Sequence, residues 1–362
     1  MNAIQVNTLP SPTYRFLRVN DSILEVPGGI APADDSAWKG LLPAGGLSIR
    51  EIREAETDGF AKIAGGMGDA ADRLFQEAGV RPWVLGVPAG SSGETVYLPV
   101  KAAGGRAQLH ALCVEAGEGS DVTVILDISG EEAGCAAAKG LTGISVRIRA
   151  AQDAKVHLIP VQRLGSTIRH FEDIGAVCAE RACVRLTTLC LGGSGGHLGA
   201  KCTLAGEASS FDSETGYYVR GDAELDINAV AAHQGKQTDS RMIFRGVLAD
   251  RAKKTLRGTI DFLTGSSDSV GDEQEDTLLL SPDVENRSVP VILCAEESVD
   301  GRHGATVGQL SEDMVFYMCS RGYSKEQARR LIVQARLKSV ASRIPEGRLR
   351  WEVEQWIERE IG

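Results

Sequence analysis

The sequence predicts a mainly β protein whose core is a solenoid, with helical segments at both ends. Three observations predict it. From about residue 105 to 300, short runs of period-two apolar alternation follow one another, as at Val122, Val124 and Leu126, at Ile144, Val146 and Ile148, at Val156 and Leu158, and at Val184 and Leu186. Gly, Asp and Asn separate these runs, with no helical period between them. The frame Ala154-Lys155-Val156-His157-Leu158 recurs 28 residues on as Ala182-Cys183-Val184-Arg185-Leu186, and Ala223-Glu224-Leu225-Asp226-Ile227 is similar to both. Glycine is frequent, 42 of 362 residues, while aromatics make up 5%, which suits many tight corners around a core of modest side chains. Recurrence over 20 to 30 residues is the pattern of a solenoid, whose turns bury apolar faces only against their neighbours. A sandwich is the competing arrangement of the same strands.

Taken in order, residues 1–100 form a mixed, partly helical region. Leu9-Pro10-Ser11-Pro12, Pro27-Gly28-Gly29 and Pro43-Ala44-Gly45-Gly46 interrupt it, as do Pro82, Pro88 and Pro99. One short helix is predicted from near Ser48, carrying Ile49, Ile52, Ala55 and Ala61, and a second around Ala70, Ala71, Leu74 and Phe75. Residues 101–300 form the solenoid core. Residues 301–362 form a helical subdomain: Ser311 caps a helix ending at Gly322, and Ser324-Lys325-Glu326-Gln327 is a capping box opening a helix to about Arg343. A last helix runs from about Arg348 to Ile361, with Leu349, Val353, Trp356 and Ile357 on one stripe and Trp351 off it.

Composition narrows the function. A chain with 43% hydrophobic and 24% charged residues folds, and its length suits two domains or one long architecture with appendages. A net charge of −10 offers no field to draw in nucleic acid or an anionic membrane surface. No Lys or Arg precedes Arg15, and no apolar run approaches the roughly 18 residues of a membrane span, so a soluble chain without a secretory signal is expected. Eight scattered cysteines, at 113, 135, 178, 183, 190, 202, 294 and 319, read as reduced thiols in a cytoplasmic protein.

Several motifs are weaker than they look. Gly192-Gly193-Ser194-Gly195-Gly196 lacks the Gly-Lys-Ser/Thr of a phosphate loop, and Gly235-Lys236-Gln237 lacks the magnesium-binding hydroxyl, so both read as turns. Cys178, Cys183 and Cys190 do not have zinc-knuckle spacing and read as buried small hydrophobes. Gly193-Ser194-Gly195 has neither the strand nor the helix of a nucleophile elbow. Glu224 and Asp226 share one strand face, as groove carboxylates do in carbohydrate-active β-helix enzymes. His233 and His303 each lie in a polar, glycine-flanked stretch.

The segment Arg302-His303-Gly304-Ala305-Thr306-Val307-Gly308, followed by Glu312-Asp313 and Phe316-Tyr317-Met318-Cys319-Ser320-Arg321-Gly322, resembles the SufB/SufD proteins of iron–sulfur cluster assembly. Phe244-Arg245-Gly246-Val247-Leu248, Leu256-Arg257-Gly258-Thr259-Ile260 and Asp276-Thr277-Leu278-Leu279-Leu280-Ser281 match in order and spacing, and Leu9-Pro10 with Thr13-Tyr14-Arg15 extends a weaker likeness towards the N-terminus. The resemblance implies a right-handed parallel β-helix and a non-catalytic scaffold role, pairing with a SufB-like paralogue and docking a SufC-like ATPase through the C-terminal helices. It implies a transient iron–sulfur cluster shared with the partner rather than a resident cofactor, and leaves open a homodimer in isolation.

Glu275 stands where the SufB type has a cysteine, and Arg302-His303-Gly304 stands where it has Glu-His-Glu, so the pattern is SufD-like. By the same resemblance His303 faces the partner's cysteine across the heterodimer seam, offering an imidazole nitrogen to iron or a proton acceptor to a thiol. Family members often carry Cys-Ser before that histidine; Gly301-Arg302 stands here, and an auxiliary thiol is absent from that site. Cys294 is the nearest alternative thiol, expected in the core by strand alternation. His233 reads as a structural hydrogen-bonding residue. Phe316, Tyr317, Arg321 and Gly322 are the expected ATPase-docking residues, with packing of the same helices on the solenoid as the alternative.

Overall fold

The structure is a computed structural model that describes residues 2–13, 15–41, 46–130 and 139–361. Tyr14, Pro43 to Gly45 and Cys135 lie outside the described residues, as does the side chain of Ala55. The chain opens with an antiparallel pair, β1 (Asn2–Val6) and β2 (Ser22–Val26), followed by β3 (Ala31–Pro32), β4 (Ser48–Glu51), α1 (Glu54–Ala61) and α2 (Asp69–Glu77). Ser48 therefore begins a strand, not the expected helix. β4 pairs antiparallel with the next strand, and that edge pairing overrides the helical spacing of Ile49 and Ile52.

The solenoid then climbs through β5 (Trp83–Val87), β6 (Glu94–Lys101), β7 (Ala107–Ala116), β8 (Asp121–Gly130), β9 (Gly140–Ala150) and β10 (Lys155–Leu164). It continues through β11 (Ile168–Cys178), β12 (Cys183–Cys190), β13 (Gly195–Leu204), β14 (Ser210–Val219) and β15 (Glu224–His233). The last strands are β16 (Asp239–Leu248), β17 (Lys253–Phe262), β18 (Ser269–Leu279), β19 (Glu285–Cys294) and β20 (Val299–Gln309). Even-numbered strands from β6 to β20 stack in parallel into one sheet, and odd-numbered strands from β5 to β19 stack into the other. The molecule is a parallel β-helix of about eight turns.

The 28-residue frame is one turn: Val156 pairs with Val184 and Leu158 with Leu186. Ala223 to Ile227, the third copy read from the sequence, belongs to β15 in the opposite sheet, because an inward apolar alternation looks alike on either wall of the coil. Corners repeat as well. Asp153, Arg181, Ala208, Gln237 and Asp268 all take left-handed backbone (φ 54–62°), and each donates its N–H to a carbonyl one turn on, as from Asp153 to Glu180 and from Arg181 to Glu207. The left-handed bend costs a non-glycine residue about 1–2 kcal/mol, which the ladder bond and the turn it closes offset.

Inside, Val124, Leu158, Leu186, Phe244 and Ile260 belong to a continuous column that is almost wholly buried. Each such side chain contributes about 1.5–3 kcal/mol. Outside, the two sheets are covered by opposite ends of the chain. β1, β2 and α2 pack through Leu24, Leu74 and Phe75 on Leu109 and Phe171 of the odd sheet. On the even sheet lie α4 (Lys325–Ala341) and α5 (Gly347–Glu360), through Val333, Leu337, Val340, Leu349, Val353 and Ile357 on Ile159, Leu189 and Val247. α3 (Glu312–Ser320) leans on α4. Ser311 caps α3 and Ser324 with Gln327 closes a full capping box on α4. Among the described residues no element stacks beyond the final turn, β19 and β20, and its side chains are exposed or half-buried.

Candidate functional site

The open end of the coil gathers the sequence-predicted residues, though not all in one place. On β18 the inward column runs Ser269, Gly271, Glu273, Glu275, Thr277; in register above it on β20 stand Val299, Gly301, His303, Ala305, Val307. His303 is thus on the lumen-facing column but exposed, because it belongs to the last rung. On the facing wall, Cys294 sits above Phe262, the fully buried ring that ends β17. Cys294 is exposed, not the core residue expected: alternation does turn it towards the lumen, but no further rung covers it.

His303 and Cys294 do not converge. A Cβ on Gly271 would touch Ile260, and one on Gly301 would touch Ile292 and Phe262, while Gly258 lies against Glu273. Successive positions on the two walls therefore step in opposite directions, carrying His303 away from Gly301 on the side opposite to Cys294.

Glu275 lies one rung below this mouth and is buried. Lys254 Nζ donates to its Oε1 at 2.5 Å, Thr277 Oγ1 at 2.8 Å and Asn286 Nδ2 at 3.3 Å, and the Tyr217 hydroxyl bonds to Thr277 at 2.7 Å. Burial pushes the Glu275 carboxyl up, but the ammonium of Lys254 and the hydroxyls of Ser288 and Thr277 outweigh it and hold it below the ordinary carboxylate value. Its neighbour Glu273 is only 4% exposed and has no such escort: Oε2 is sealed without a hydrogen-bond partner. Burial, reinforced by the charge of Glu275, raises the Glu273 carboxyl to about 7. Sequence reading missed Lys254 and Glu273, because charges in an alternating strand ordinarily mark the solvent face. The available signal was that Glu273, Glu275 and Thr277 share the parity of the lumen column.

At the other expected surface, Phe316 and Tyr317 are 74% and 56% exposed, so these rings of α3 do not pack on the solenoid. The Arg321 guanidinium lies 5.2 Å from the centre of the Tyr317 ring, and Gly322 ends the helix with φ +99°. Arg329 and Lys325 lie 3.9 and 3.7 Å from Glu312, tying α4 to α3.

The remaining motifs are structural. His233 is fully buried, bonded to Thr238 at 2.7 Å and Ser240 at 2.8 Å. A Cβ on Gly192 would stand 2.3 Å from the Leu164 carbonyl, and Gly193 and Gly195 have positive φ, so the glycine run lets a corner pass close to the rung below. Cys178 and Cys190 are buried and Cys183 half-buried; Cys178 Sγ rests 3.7 Å from Cys202 Sγ as a free thiol. Asp226 is held by Arg257 at 2.7 Å and Asn7 at 2.7 Å, and Glu224 lies 3.6 Å from Lys253. Among the described residues no group of three or more His, Cys, Asp or Glu side chains is arranged to hold a metal ion, and no helix is long and apolar enough to cross a membrane.

Residues 99–336 match the family described as SUF system FeS cluster assembly, SufBD core domain. The chain belongs to the SufBD family. It is 27% identical over 158 residues to the iron-sulfur cluster assembly protein SufD of Bacillus subtilis, covering 44% of this chain and 36% of that protein. A SufBD family protein of Pyropia yezoensis is 29% identical over 144 residues, 40% of this chain and 30% of the relative, and one from Mycobacterium tuberculosis is 24% identical over 157 residues, 41% and 19%. The chain thus spans about a third or less of the length of these relatives. The SufBD match covers the solenoid from β6 to its open end and stops within α4, so His303, Cys294, Glu275 and the α3 surface all fall inside it. As a SufBD protein the chain belongs to a family of iron–sulfur cluster assembly.

Proposed function

We propose that the chain is a SufD-like, non-catalytic scaffold subunit of a SufBCD-type complex that builds iron–sulfur clusters in the cytoplasm. The observation that carries this is the uncapped last rung, which presents His303 at an open sheet end. An unpaired parallel edge is a template for another chain, and the proposed occupant is the end of a SufB-like paralogue. There His303 offers one ring nitrogen to an iron of the nascent cluster, or accepts the proton of the partner's thiol. The cluster is cargo shared across the seam. Phe316, Tyr317, Arg321 and Gly322 form the proposed docking surface for a SufC-like ATPase, which would supply the nucleotide chemistry; exposed aromatic side chains next to a guanidinium are the composition that interfaces favour.

Co-expression with SufB-like and SufC-like partners, followed by native mass spectrometry, is expected to recover an assembly of one copy of this chain, one paralogue and two ATPase subunits. Recovery of a lone chain that ignores both partners would overturn the reading. In the reconstituted complex, His303→Ala is expected to leave the fold and the assembly intact and to cut cluster yield at least tenfold; an unchanged yield removes His303 from the site. The carbohydrate-enzyme alternative has less support, because Asp226 is already committed to Arg257 and Asn7.

A further inference from the structure

The buried carboxylate beneath the open mouth has no role in the reading above. Glu273 and His303 are register partners on adjacent parallel strands, both on the lumen-facing column. Such partners lie about 4.8 Å apart at their backbones, with side chains on the same face. Glu275 takes the nearby donors from Lys254, Thr277 and Asn286, leaving Glu273 Oε2 buried and unpartnered. The opposite wall supplies nothing either: Gly258 faces the carboxylate, and a Cβ there would stand 2.2 Å from it. An orphaned buried acceptor costs about 1–3 kcal/mol, a penalty removed when a donor arrives. The polar side chain directly above it on the lumen column is the imidazole of His303, which is exposed and makes no hydrogen bond to Glu273 in this structure.

We infer that Glu273 is the positioning residue of His303: when the exposed ring rotates towards the lumen, the carboxylate accepts the N–H of one ring nitrogen, which fixes the tautomer and turns the other nitrogen out of the mouth. A carboxylate behind an imidazole orients the ring and raises the basicity of its free nitrogen. The inference rests on the reading of His303 as the group at the seam.

The test uses the full chain with histidines labelled at both ring nitrogens, read by NMR above the imidazole titration range, with His303→Gln identifying the resonances. In the wild type one tautomer of His303 dominates. Glu273→Met removes the acceptor at similar length and gives the mixed tautomers of a free imidazole, whereas Glu273→Gln keeps an acceptor oxygen and retains the single tautomer. A mixture already present in the wild type, or a single tautomer surviving in Glu273→Met, overturns the assignment. No cluster is needed for this readout. If the tautomer follows residue 273 while His303→Ala leaves cluster yield unchanged, the positioning stands and the reading of His303 falls. Where both hold, Glu273→Met also lowers cluster yield several-fold with the folded far-ultraviolet spectrum retained.

Discussion

Glu273 and Glu275 are two carboxylates on one strand face, two residues apart, whose surroundings drive them in opposite directions. Glu275 is held ionised by Lys254, and Glu273 is pushed up to about 7 by burial and by Glu275 itself. The folded protein therefore binds a proton at Glu273 that the unfolded chain, with a carboxyl near 4.5, has already released. Stability contributed by that proton is present below about pH 4.5 and is lost as pH rises towards 7, by roughly 3 kcal/mol in all. Glu273→Gln is expected to raise the urea midpoint more at pH 8 than at pH 5, with a smaller gain at pH 8 to the extent that a His303 N–H compensates the ionised carboxylate; an equal gain at both would show that the ionised carboxylate is not the cause. Two buried histidines have the opposite sign. His197 and His233 are held neutral by burial, down to about 4, so each stabilises the fold fully above about pH 6.5 and loses that contribution, roughly 3 kcal/mol, as pH falls to 4. His233→Gln should flatten the fall in urea midpoint between pH 6.5 and 4, compared with the wild type.

At the scale of elements, two glycines in the family-like segments explain themselves by close approach. Gly258 lies under the Glu273 carboxylate, and Gly246 lies under the Tyr217 ring, 1.8 Å from where a Cβ would stand. Gly246→Ala should cost about 1–3 kcal/mol in urea unfolding through displacement of that buried ring, and a neutral result would mean that the ring has room to move. The strands of the coil were legible because apolar alternation at Val156 and Leu158 is a direct consequence of the pleat. The C-terminal helices were legible because Ser311, Ser324 and Gln327 carry their caps in local sequence. The strand at Ser48 was not, since its pairing partner is more than thirty residues away at Trp83 to Gly86. Of the candidate site, His303 is proposed through its resemblance to a family segment. The inward charges Lys254 and Glu273 were hidden, because burial of a charge is set by what stands across the lumen, which no local pattern records. Cys294 was misjudged for a related reason: alternation shows which way a side chain points, but not whether another turn lies above it.

Over the whole molecule, the two ends of the chain divide the work of shielding the coil. The N-terminal strands and α2 cover one sheet, and α4 and α5 cover the other, fastened by Arg336 to Asp276 and by Arg343 to Glu214. Between them the parallel ladder runs from β5 and β6 to β19 and β20 with every rung resting on the one before. At the start of the ladder β4 adds antiparallel to β5, and Trp38 packs there with its indole N–H donating to the Pro99 carbonyl at 2.9 Å. The finish is bare. On the proposed pairing, two coils joined at their bare tips consume both adhesive ends, so that contact closes a pair rather than extending a rod.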